Sequence, residues 1–141
     1  LSHEIDLAHW LFGKPQIIHA VFGKFSKLKI NTEDSLKLFG KVKNSSLLID
    51  LNYYSRNDIR IIFVDANDFS IFADLKKNRF YLKSKNKKIE IKKKFDKDLT
   101  YLNQHEAIIK KKNYKNLCSY NDGIKILEFV KKIKSKKYNL I

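Results

Sequence analysis

The first 13 residues carry two interleaved patterns that together predict a short helix. Two sets recur at helical spacing on different faces: an apolar set of Ile5, Ala8 and Phe12, and a second set of His3, Asp6 and Trp10. Gly13 is predicted to end the helix, because glycine adopts the left-handed conformation without a Cβ clash, and Pro15 disfavours re-entry. Such an apolar helix is predicted to be largely buried, so its imidazole and carboxylate are either paired with each other or held for a ligand.

Alternating apolar and polar residues then predict strands as far as residue 93. Turn-forming residues separate about six strands, mostly in hairpin order. Residues 59–64 are apolar on both faces apart from Arg60, which predicts a central strand covered on both sides. Residues 87–93 are heavily charged, which predicts an edge strand.

Two further helices are predicted to complete the chain. The first is expected from Asp98 to about residue 112, with an inward face of Leu102, Ile108 and Ile109. The second is expected to begin at a capping pair, Ser119 and Asp122, and to bury the stripe Ile126, Phe129, Val130 and Ile133. This order predicts an α+β fold: a mainly antiparallel or mixed open sheet of about six strands with helices on one face.

Composition narrows the classes of function. With 141 residues and 43% hydrophobic content, the chain is predicted to be a single globular domain, residues 1–141. The net charge of +15 is carried almost wholly by lysine, in scattered runs. One interpretation is a solvated surface with general attraction for anions, and the other is a functional basic patch. The first is favoured, because nucleic-acid recognition prefers arginine forks and a basic stripe with exposed aromatics.

Other patterns argue against several kinds of site. No apolar run approaches the roughly 18 residues of a membrane span, and the first residues do not have the basic-then-apolar pattern expected of a secretory leader. Because Cys118 is the one cysteine, it cannot form an internal disulfide, and a cytoplasmic location is expected. Cys118 is predicted to be a buried or inert thiol. His3, Glu4 and His9 lack the spacing of a zinc-binding H-E-x-x-H motif, so no metal is predicted. The four glycines include no G-x-G-x-x-G, so this chain alone lacks a dinucleotide-binding turn.

The first helix also resembles a known family. His3-Glu4-Ile5-Asp6 followed by Trp10-Leu11-Phe12-Gly13 resembles the opening of the second domain of Gfo/Idh/MocA-type oxidoreductases, which are NAD(P)-dependent sugar and polyol dehydrogenases. Shorter similarities follow at Thr32-Glu33-Asp34, Tyr101-Leu102-Asn103-Gln104 and Asp122-Gly123. The resemblance implies a C-terminal domain like that of glyceraldehyde-3-phosphate dehydrogenase. It also implies a preceding nucleotide-binding (Rossmann) domain that is absent from this chain, which starts at Leu1 and would then be a fragment.

The resemblance further implies roles for individual residues. The substrate would be a sugar, polyol or nucleotide-sugar, and NAD or NADP would be bound mainly by the absent domain. His3 would be catalytic, together with an aspartate just ahead of Leu1 and a lysine of the nucleotide-binding domain, because a histidine can accept the proton of an alcohol during its oxidation. Asp6 would orient His3 or bind a sugar hydroxyl, and Tyr53 and Tyr54 would line the substrate pocket.

Each of these residues also has a plain structural interpretation. His3 would be a helix-terminal histidine, Asp6 would favour the helix dipole, and the tyrosines would pack on the sheet. Further candidates for the pocket, with weaker claims, are Arg60, Tyr101, Gln104 and His105. A structural ion pair explains Arg60 at least as well.

Two function classes remain open on the sequence. The preferred one is the substrate-binding and oligomerisation domain of an NAD(P)-dependent dehydrogenase, inactive by itself. The alternative is a non-enzymatic basic α+β module that binds nucleic acid or another acidic partner. They differ in what precedes Leu1: the enzyme requires a glycine-rich nucleotide-binding domain there, and the module does not.

A homodimer through the open face of the sheet is predicted as well. Ile59, Ile61 and Phe63 point one way while Ile62 and Val64 point the other, and Phe72 and Tyr81 do not fit a single buried face. Such an apolar patch on a globular domain usually marks an interface. The alternative is that a loop or the missing domain covers this face.

Overall fold

The computed structural model describes residues 2–94, 97–110 and 117–135. They form three helices and seven strands, in chain order α1 (Ser2–Phe12), β1 (Gln16–Gly23), β2 (Ser35–Val42), β3 (Ser45–Asn52), β4 (Ile61–Asp65), β5 (Phe69–Asp74), β6 (Arg79–Ser84), β7 (Lys88–Lys92), α2 (Lys97–Ile109) and α3 (Tyr120–Ser135). The chain divides into two compact units, the first drawn from Leu1–Ser55 with Cys118–Ile141 and the second from Arg56–Leu117. All strand pairs are antiparallel, so the predicted α+β class is confirmed.

The first unit is built on a three-stranded sheet in the order β1-β2-β3. The central strand β2 alternates between buried and exposed residues, and so directs Leu36, Leu38 and Val42 into the core. α1 and α3 pack together in this unit, and α3 also contacts β1. The predicted stripe of α3 is confirmed, since Ile126 and Ile133 are buried in the same core and its other two members are half-buried against it.

α1 differs from its prediction, because only one of its faces is buried. Ile5 and Ala8 enter the core and Phe12 packs against it, but Trp10 is 65% exposed and Leu11 is exposed as well. The prediction of a largely buried helix is therefore wrong. A helix that packs on one side buries only the stripe that faces its neighbours, whatever the apolar content of its other faces.

The two faces of α1 should differ in their contribution to stability. We expect Ile5→Ala to lower the free energy of unfolding by about 2–5 kcal/mol, because it leaves a cavity in the core. Trp10→Ala should change the same quantity by only about 0.5 kcal/mol, because the indole is mostly in solvent. Urea unfolding followed by circular dichroism measures both values. Equal losses for the two variants would contradict the burial of this helix described above.

The second unit is built on a four-stranded sheet in the order β4-β5-β6-β7. The prediction that residues 59–64 form a central strand is wrong, because β4 lies at the edge of the described sheet, next to β5, with Phe63 68% exposed. The prediction of a charged edge strand is confirmed in β7. Among the residues of this unit that the structure describes, none is fully buried. The strands thus form two sheets, where the sequence suggests one of about six strands.

α2 belongs to the second unit and is the most exposed of the three helices. Its predicted inward residues Leu102, Ile108 and Ile109 are each more than half exposed, so that prediction is wrong. The periodicity of α2 is weak, and a helical register cannot be read from three apolar residues without a partner surface. The helix ends at Ile109, and the predicted end at about residue 112 lies outside the described residues.

Candidate functional site

His3 and Asp6 lie in the first two turns of α1. His3 is exposed and Asp6 is half-buried. Although three residues apart on a helix places them on one side of it, no hydrogen bond or ion pair joins them in the part of the chain that the structure describes. The pairing of His3 with Asp6 that the sequence suggested is therefore not formed, and the His3 imidazole is exposed to solvent.

Cys118, just before α3, lies near enough to Asp6 for the Asp6 carboxylate to affect the pKa of its thiol. Cys118 is exposed, so of the two predicted alternatives, a buried or an inert thiol, the first is excluded. Local desolvation together with the carboxylates of Asp6 and Asp122 raises the pKa of the Cys118 thiol, which favours its unreactive protonated form. The predicted capping pair is confirmed: Ser119 Oγ donates to Asp122 Oδ2 at 2.6 Å and accepts from the Asp122 N–H at 3.2 Å.

Tyr53 and Tyr54 follow β3 at one end of the three-stranded sheet. At this end β1 finishes, β2 begins and β3 finishes, since Gly23 pairs with Ser35 and Ser35 pairs with Asn52. The Tyr53 N–H donates to the Asp34 carbonyl oxygen at 2.9 Å, and the Ser55 N–H donates to Asn52 Oδ1 at 2.8 Å. The backbone of the two tyrosines is therefore held on both sides, while both rings are exposed.

Asp34 is the most strongly bonded side chain at this end of the sheet. The residue is 0% exposed, and its carboxylate accepts the Phe25 N–H at 2.7 Å, the Ser26 N–H at 2.9 Å, Ser26 Oγ at 2.5 Å and Lys24 Nζ at 3.2 Å. Burial alone would raise the pKa of this carboxyl, but these donors lower it well below its usual range. The carboxylate is thus ionised and fully bonded.

Sequence analysis did not assign a role to Asp34. The residue appears there only within Thr32-Glu33-Asp34, as part of the family resemblance. The one local signal is an aspartate directly before a strand that alternates cleanly, at the end of a polar connection. Its partners lie eight to ten residues upstream, and no helical or strand period connects positions at that separation.

Asp34 is expected to make the domain sensitive to acid. Its pKa is lowered relative to the unfolded value of about 3.9, so its stabilising contribution is complete above that pH and is lost as the pH falls further toward the folded-state pKa. Asp34→Asn should therefore flatten the fall in the free energy of unfolding between about pH 4 and pH 2. Glu33 and Asp122, whose pKa values are lowered chiefly by hydrogen bonds with Lys134 and Ser119, contribute to the same slope in both proteins. Urea unfolding over this pH range measures it, and an unchanged slope would contradict the assignment.

The remaining candidates lie in the second unit. Arg60 is exposed before β4, and α2 carries the exposed side chains of Tyr101, Gln104 and His105. The first unit holds His3, Asp6, Tyr53 and Tyr54. Within this unit the two tyrosines lie next to Asp34. Among the described residues, no hydrogen bond joins either tyrosine to His3.

Residues 2–94, 97–110 and 117–135 contain no group of three histidine, cysteine, aspartate or glutamate residues placed as a metal ion would require. In the same ranges no helix has both the length and the apolar character needed to cross a membrane.

The positions of the four glycines show whether the chain has a turn that could bind the pyrophosphate of a dinucleotide. Gly13 caps α1 with a φ of 94°, Gly23 ends β1, Gly40 lies within β2 and Gly123 lies within α3. At Gly40 an added Cβ would lie 2.8 Å from the Gln16 carbonyl oxygen, so this glycine serves the close approach of two strands. None of the four opens a strand-to-helix turn of the kind that cradles a pyrophosphate, so these residues do not fit the cofactor's phosphates.

Comparisons with known proteins place the fold. No family model and no curated protein sequence matches the chain. Among solved structures, UDP-N-acetylglucosamine 3-dehydrogenase GnnA from Acidithiobacillus ferrooxidans superposes with a TM-score of 0.70 at 14% identity, over 94% of this chain and 43% of that chain. A protein from Thermotoga maritima assigned as an oxidoreductase superposes with a TM-score of 0.71 at 14% identity, over 94% of this chain and 42% of that one.

The chain therefore spans less than half of either solved protein. Identity this low supports a shared fold and no more. By their names, one neighbour is a dehydrogenase and the other an oxidoreductase, the broad class of enzyme that the first helix resembles. The chain has an α+β fold that is found in part of each of these two solved proteins.

Proposed function

We propose that the chain is the substrate-binding and oligomerisation domain of an NAD(P)-dependent dehydrogenase that oxidises a CH–OH group of a sugar, polyol or nucleotide-sugar. The observation that carries this proposal is the fold, which 94% of the chain shares with part of a UDP-N-acetylglucosamine dehydrogenase. That neighbour's substrate makes the nucleotide-sugars the first class to test. The basic surface of the chain favours an anionic substrate in the same direction.

His3 is proposed as the proton acceptor. Oxidation of an alcohol to a carbonyl removes a hydride from carbon and a proton from the hydroxyl oxygen, and a neutral imidazole can take that proton. An exposed histidine on a helix fixed by Ile5 and Ala8 has a defined position and open access to a substrate. The hydride leaves to a cofactor that another domain would hold, so this chain contributes no step through the cofactor.

Asp6, Tyr53 and Tyr54 are proposed as substrate contacts. A half-buried carboxylate can accept a hydrogen bond from a sugar hydroxyl, and a phenol can both donate and accept one. The exposed faces of the two tyrosine rings also suit the apolar face of a pyranose ring. The hydrogen bonds from Tyr53 to Asp34 and from Ser55 to Asn52 would keep this segment in place before the substrate arrives.

The experiment that tests this function is a titration of the 15N-labelled chain followed by NMR. UDP-N-acetylglucosamine, UDP-glucose, glucose and inositol are added separately, and the amide shifts are mapped. The proposal expects shifts concentrated at His3, Asp6, Tyr53 and Tyr54 for at least one compound. Tyr53→Phe and Asp6→Asn should weaken that response, whereas Asp50→Asn, at an exposed aspartate of β3 that pairs with Lys37, should not. Shifts confined to the lysine-rich strands of the second unit would contradict the assignment.

The chain by itself is expected not to bind the nicotinamide cofactor tightly. The reason is the absence of a phosphate-binding turn among its four glycines. Calorimetric titration with NAD(H) and NADP(H) measures the affinity, and dissociation constants weaker than about 1 mM are expected. A micromolar dissociation constant for either cofactor would contradict the proposed division between two domains.

Self-association is proposed through one face of the four-stranded sheet. Phe63, Phe72 and Tyr81 lie in register across β4, β5 and β6, with ring centroids 5.0 Å and 5.8 Å apart, so the three rings form one aromatic row. The outer ring, Phe63, is mostly exposed. A row of this kind on a domain surface would be covered by a second copy, and a two-fold axis is the commonest arrangement.

Charges on the same face favour a particular orientation of that second copy. The residues two positions before or after the aromatic row point to the same face of the sheet as the row does. On β4 and β5 these positions include the acidic Asp65 and Asp74. On β6 and β7 they are basic: Arg79, Lys83, Lys88 and Lys92. Glu90 on β7 is in register with Tyr81 and pairs with Arg79 at 3.8 Å, so the half formed by β6 and β7 is basic on balance while the half formed by β4 and β5 is acidic. A two-fold axis parallel to the strands sets each acidic half against the basic half of the partner, which gives complementary potentials.

The second candidate function is the basic module that binds nucleic acid. The observation that favours it is the net charge of +15. Its expected signature is binding of a single-stranded oligonucleotide that weakens steeply with salt. Titration of the chain with a 20-nucleotide thymidine oligonucleotide at about 50 mM and 200 mM salt separates the two functions. Oligonucleotide binding at the lower salt that weakens steeply at the higher salt, with no response to any sugar, would favour the module.

A further inference from the structure

One buried residue holds two neighbouring segments at the end of the three-stranded sheet. Through its side chain Asp34 binds the turn at residues 24–26, as described above. Through its backbone it binds elsewhere: its N–H donates to the Gly23 carbonyl oxygen at 3.0 Å, and its own carbonyl oxygen accepts the Tyr53 N–H at 2.9 Å. Asp34 is thus the common partner of the turn and of the tyrosine segment.

The turn is closed by further hydrogen bonds that depend on the same centre. Lys24 Nζ also donates to the carbonyl oxygens of Ser26 and Leu28, and Ser26 Oγ accepts the Leu28 N–H at 3.2 Å. Next to Asp34, Glu33 accepts Lys134 Nζ of α3 at 2.8 Å. The Lys24 ammonium therefore donates its hydrogen bonds within the turn and to Asp34. We do not expect it to be the group that attracts an anionic ligand.

We propose that Asp34 is a positioning residue for Tyr53, holding the tyrosine and the turn at residues 24–28 in one fixed arrangement at the edge of the substrate site. This inference rests on the proposed function, in which Tyr53 contacts the substrate. The Asp34 side chain is buried, and its carboxylate oxygens already accept hydrogen bonds from the turn. It would therefore act through Tyr53 and not on the ligand. The charge-assisted hydrogen bonds of its carboxylate fix the turn and, with it, the backbone of residue 34, which carries the carbonyl oxygen that accepts the Tyr53 N–H.

The test is amide hydrogen exchange, measured by NMR on the 141-residue chain. Asp34→Asn keeps the shape but replaces one acceptor oxygen by a donor that faces Ser26 and Lys24. Asp50→Asn is the matched control, because Asp50 is an exposed aspartate on β3 that pairs with Lys37. Asp34→Asn is expected to raise the exchange rates of the Phe25, Ser26 and Tyr53 amides by about tenfold or more. The control should change them by about twofold or less.

Two results would overturn the proposal. The first is an exchange rate at Tyr53 that stays the same in Asp34→Asn. The second is an equal rise at every amide of β1, β2 and β3, which would mean that Asp34 only stabilises the unit as a whole. Should Asp34→Asn fail to fold, Ser26→Ala removes one donor and leaves the charge. In that variant the Tyr53 amide should exchange faster while the Leu38 amide at the centre of β2 does not, and the absence of that difference also overturns the proposal.

A ligand titration separates this inference from the function on which it rests. With UDP-glucose as the probe, Asp34→Asn should raise the dissociation constant reported by the Tyr53 ring by about tenfold, and Asp50→Asn should leave it unchanged. Equal affinities of wild type and Asp34→Asn would overturn the positioning role. If the Tyr53 ring does not respond to UDP-glucose even in the wild type, the substrate contact proposed for Tyr53 fails for this probe. The exchange rates still decide whether Asp34 positions Tyr53.

Discussion

Replacement of His3 by alanine is expected to lower kcat by about 100-fold or more in a protein that joins this chain to a nucleotide-binding domain. KM should change much less. A proton acceptor acts in the transition state, whereas the substrate in its ground state is held by other groups. His3 is exposed at the start of a helix whose opposite stripe is locked in the core, so the substitution should leave the fold intact. Steady-state kinetics with a compound that the wild type turns over measures the effect.

His9 provides the matched control for that experiment. It lies on the same helix but on another face, and His9→Ala should leave kcat within about twofold of the wild type. The pH profile adds a second readout, since loss of the proton acceptor should remove the acidic limb of kcat/KM. Equal kcat values for His3→Ala and the wild type would remove His3 from the mechanism, whatever the fate of the rest of the proposal.

Replacement of Phe63 by aspartate is expected to weaken self-association of the chain by about 100-fold or more, since it puts a charge at the end of the aromatic row. Phe63 is mostly exposed in the single chain, so the fold should tolerate the change. Leu48→Asp is the matched control, because Leu48 is 73% exposed on β3, in the other unit. Sedimentation equilibrium measures both. A wild-type chain that stays monomeric up to about 100 μM would contradict the interface itself.

A charge exchange tests the orientation of the two copies. Asp65→Lys and Lys88→Asp should each weaken self-association by several-fold, because each sets like charges against one another across the two-fold axis. An equal mixture of the two variants should associate as strongly as the wild type, since opposite charges then face each other in both pairs. If the mixture is no stronger than the single variants, the copies do not pack with the acidic half against the basic half.

Elements with a strong local signal were predicted well from the sequence. α3 begins at its capping pair and buries its stripe, because capping and a 3.6-residue period are written in neighbouring residues. The charged β7 lies at an edge because unpaired edges tolerate charge. The resemblance carried by the first helix pointed to the fold that the structural neighbours confirm.

The failures have a common physical cause, which is dependence on distant partners. Trp10 and the apolar residues of α2 are exposed, although their composition alone suggests burial, because burial requires a facing surface that no local pattern supplies. β4 is as apolar as a central strand and yet has one neighbour, since strand order is set by pairing along the whole sheet. Asp34 was missed for the same reason, its partners being Tyr53 on one side and the turn at residues 24–26 on the other.

The measurement that most directly tests the proposed dehydrogenase domain is the sequence of the coding region ahead of Leu1. A substrate-binding domain of this type requires a nucleotide-binding domain there, since the chain itself carries no phosphate-binding turn. The expected result is a glycine-rich strand–turn–helix followed, just ahead of Leu1, by an aspartate that would act with His3. A methionine codon immediately before Leu1, with no nucleotide-binding domain upstream, would contradict the proposal and favour the basic binding module.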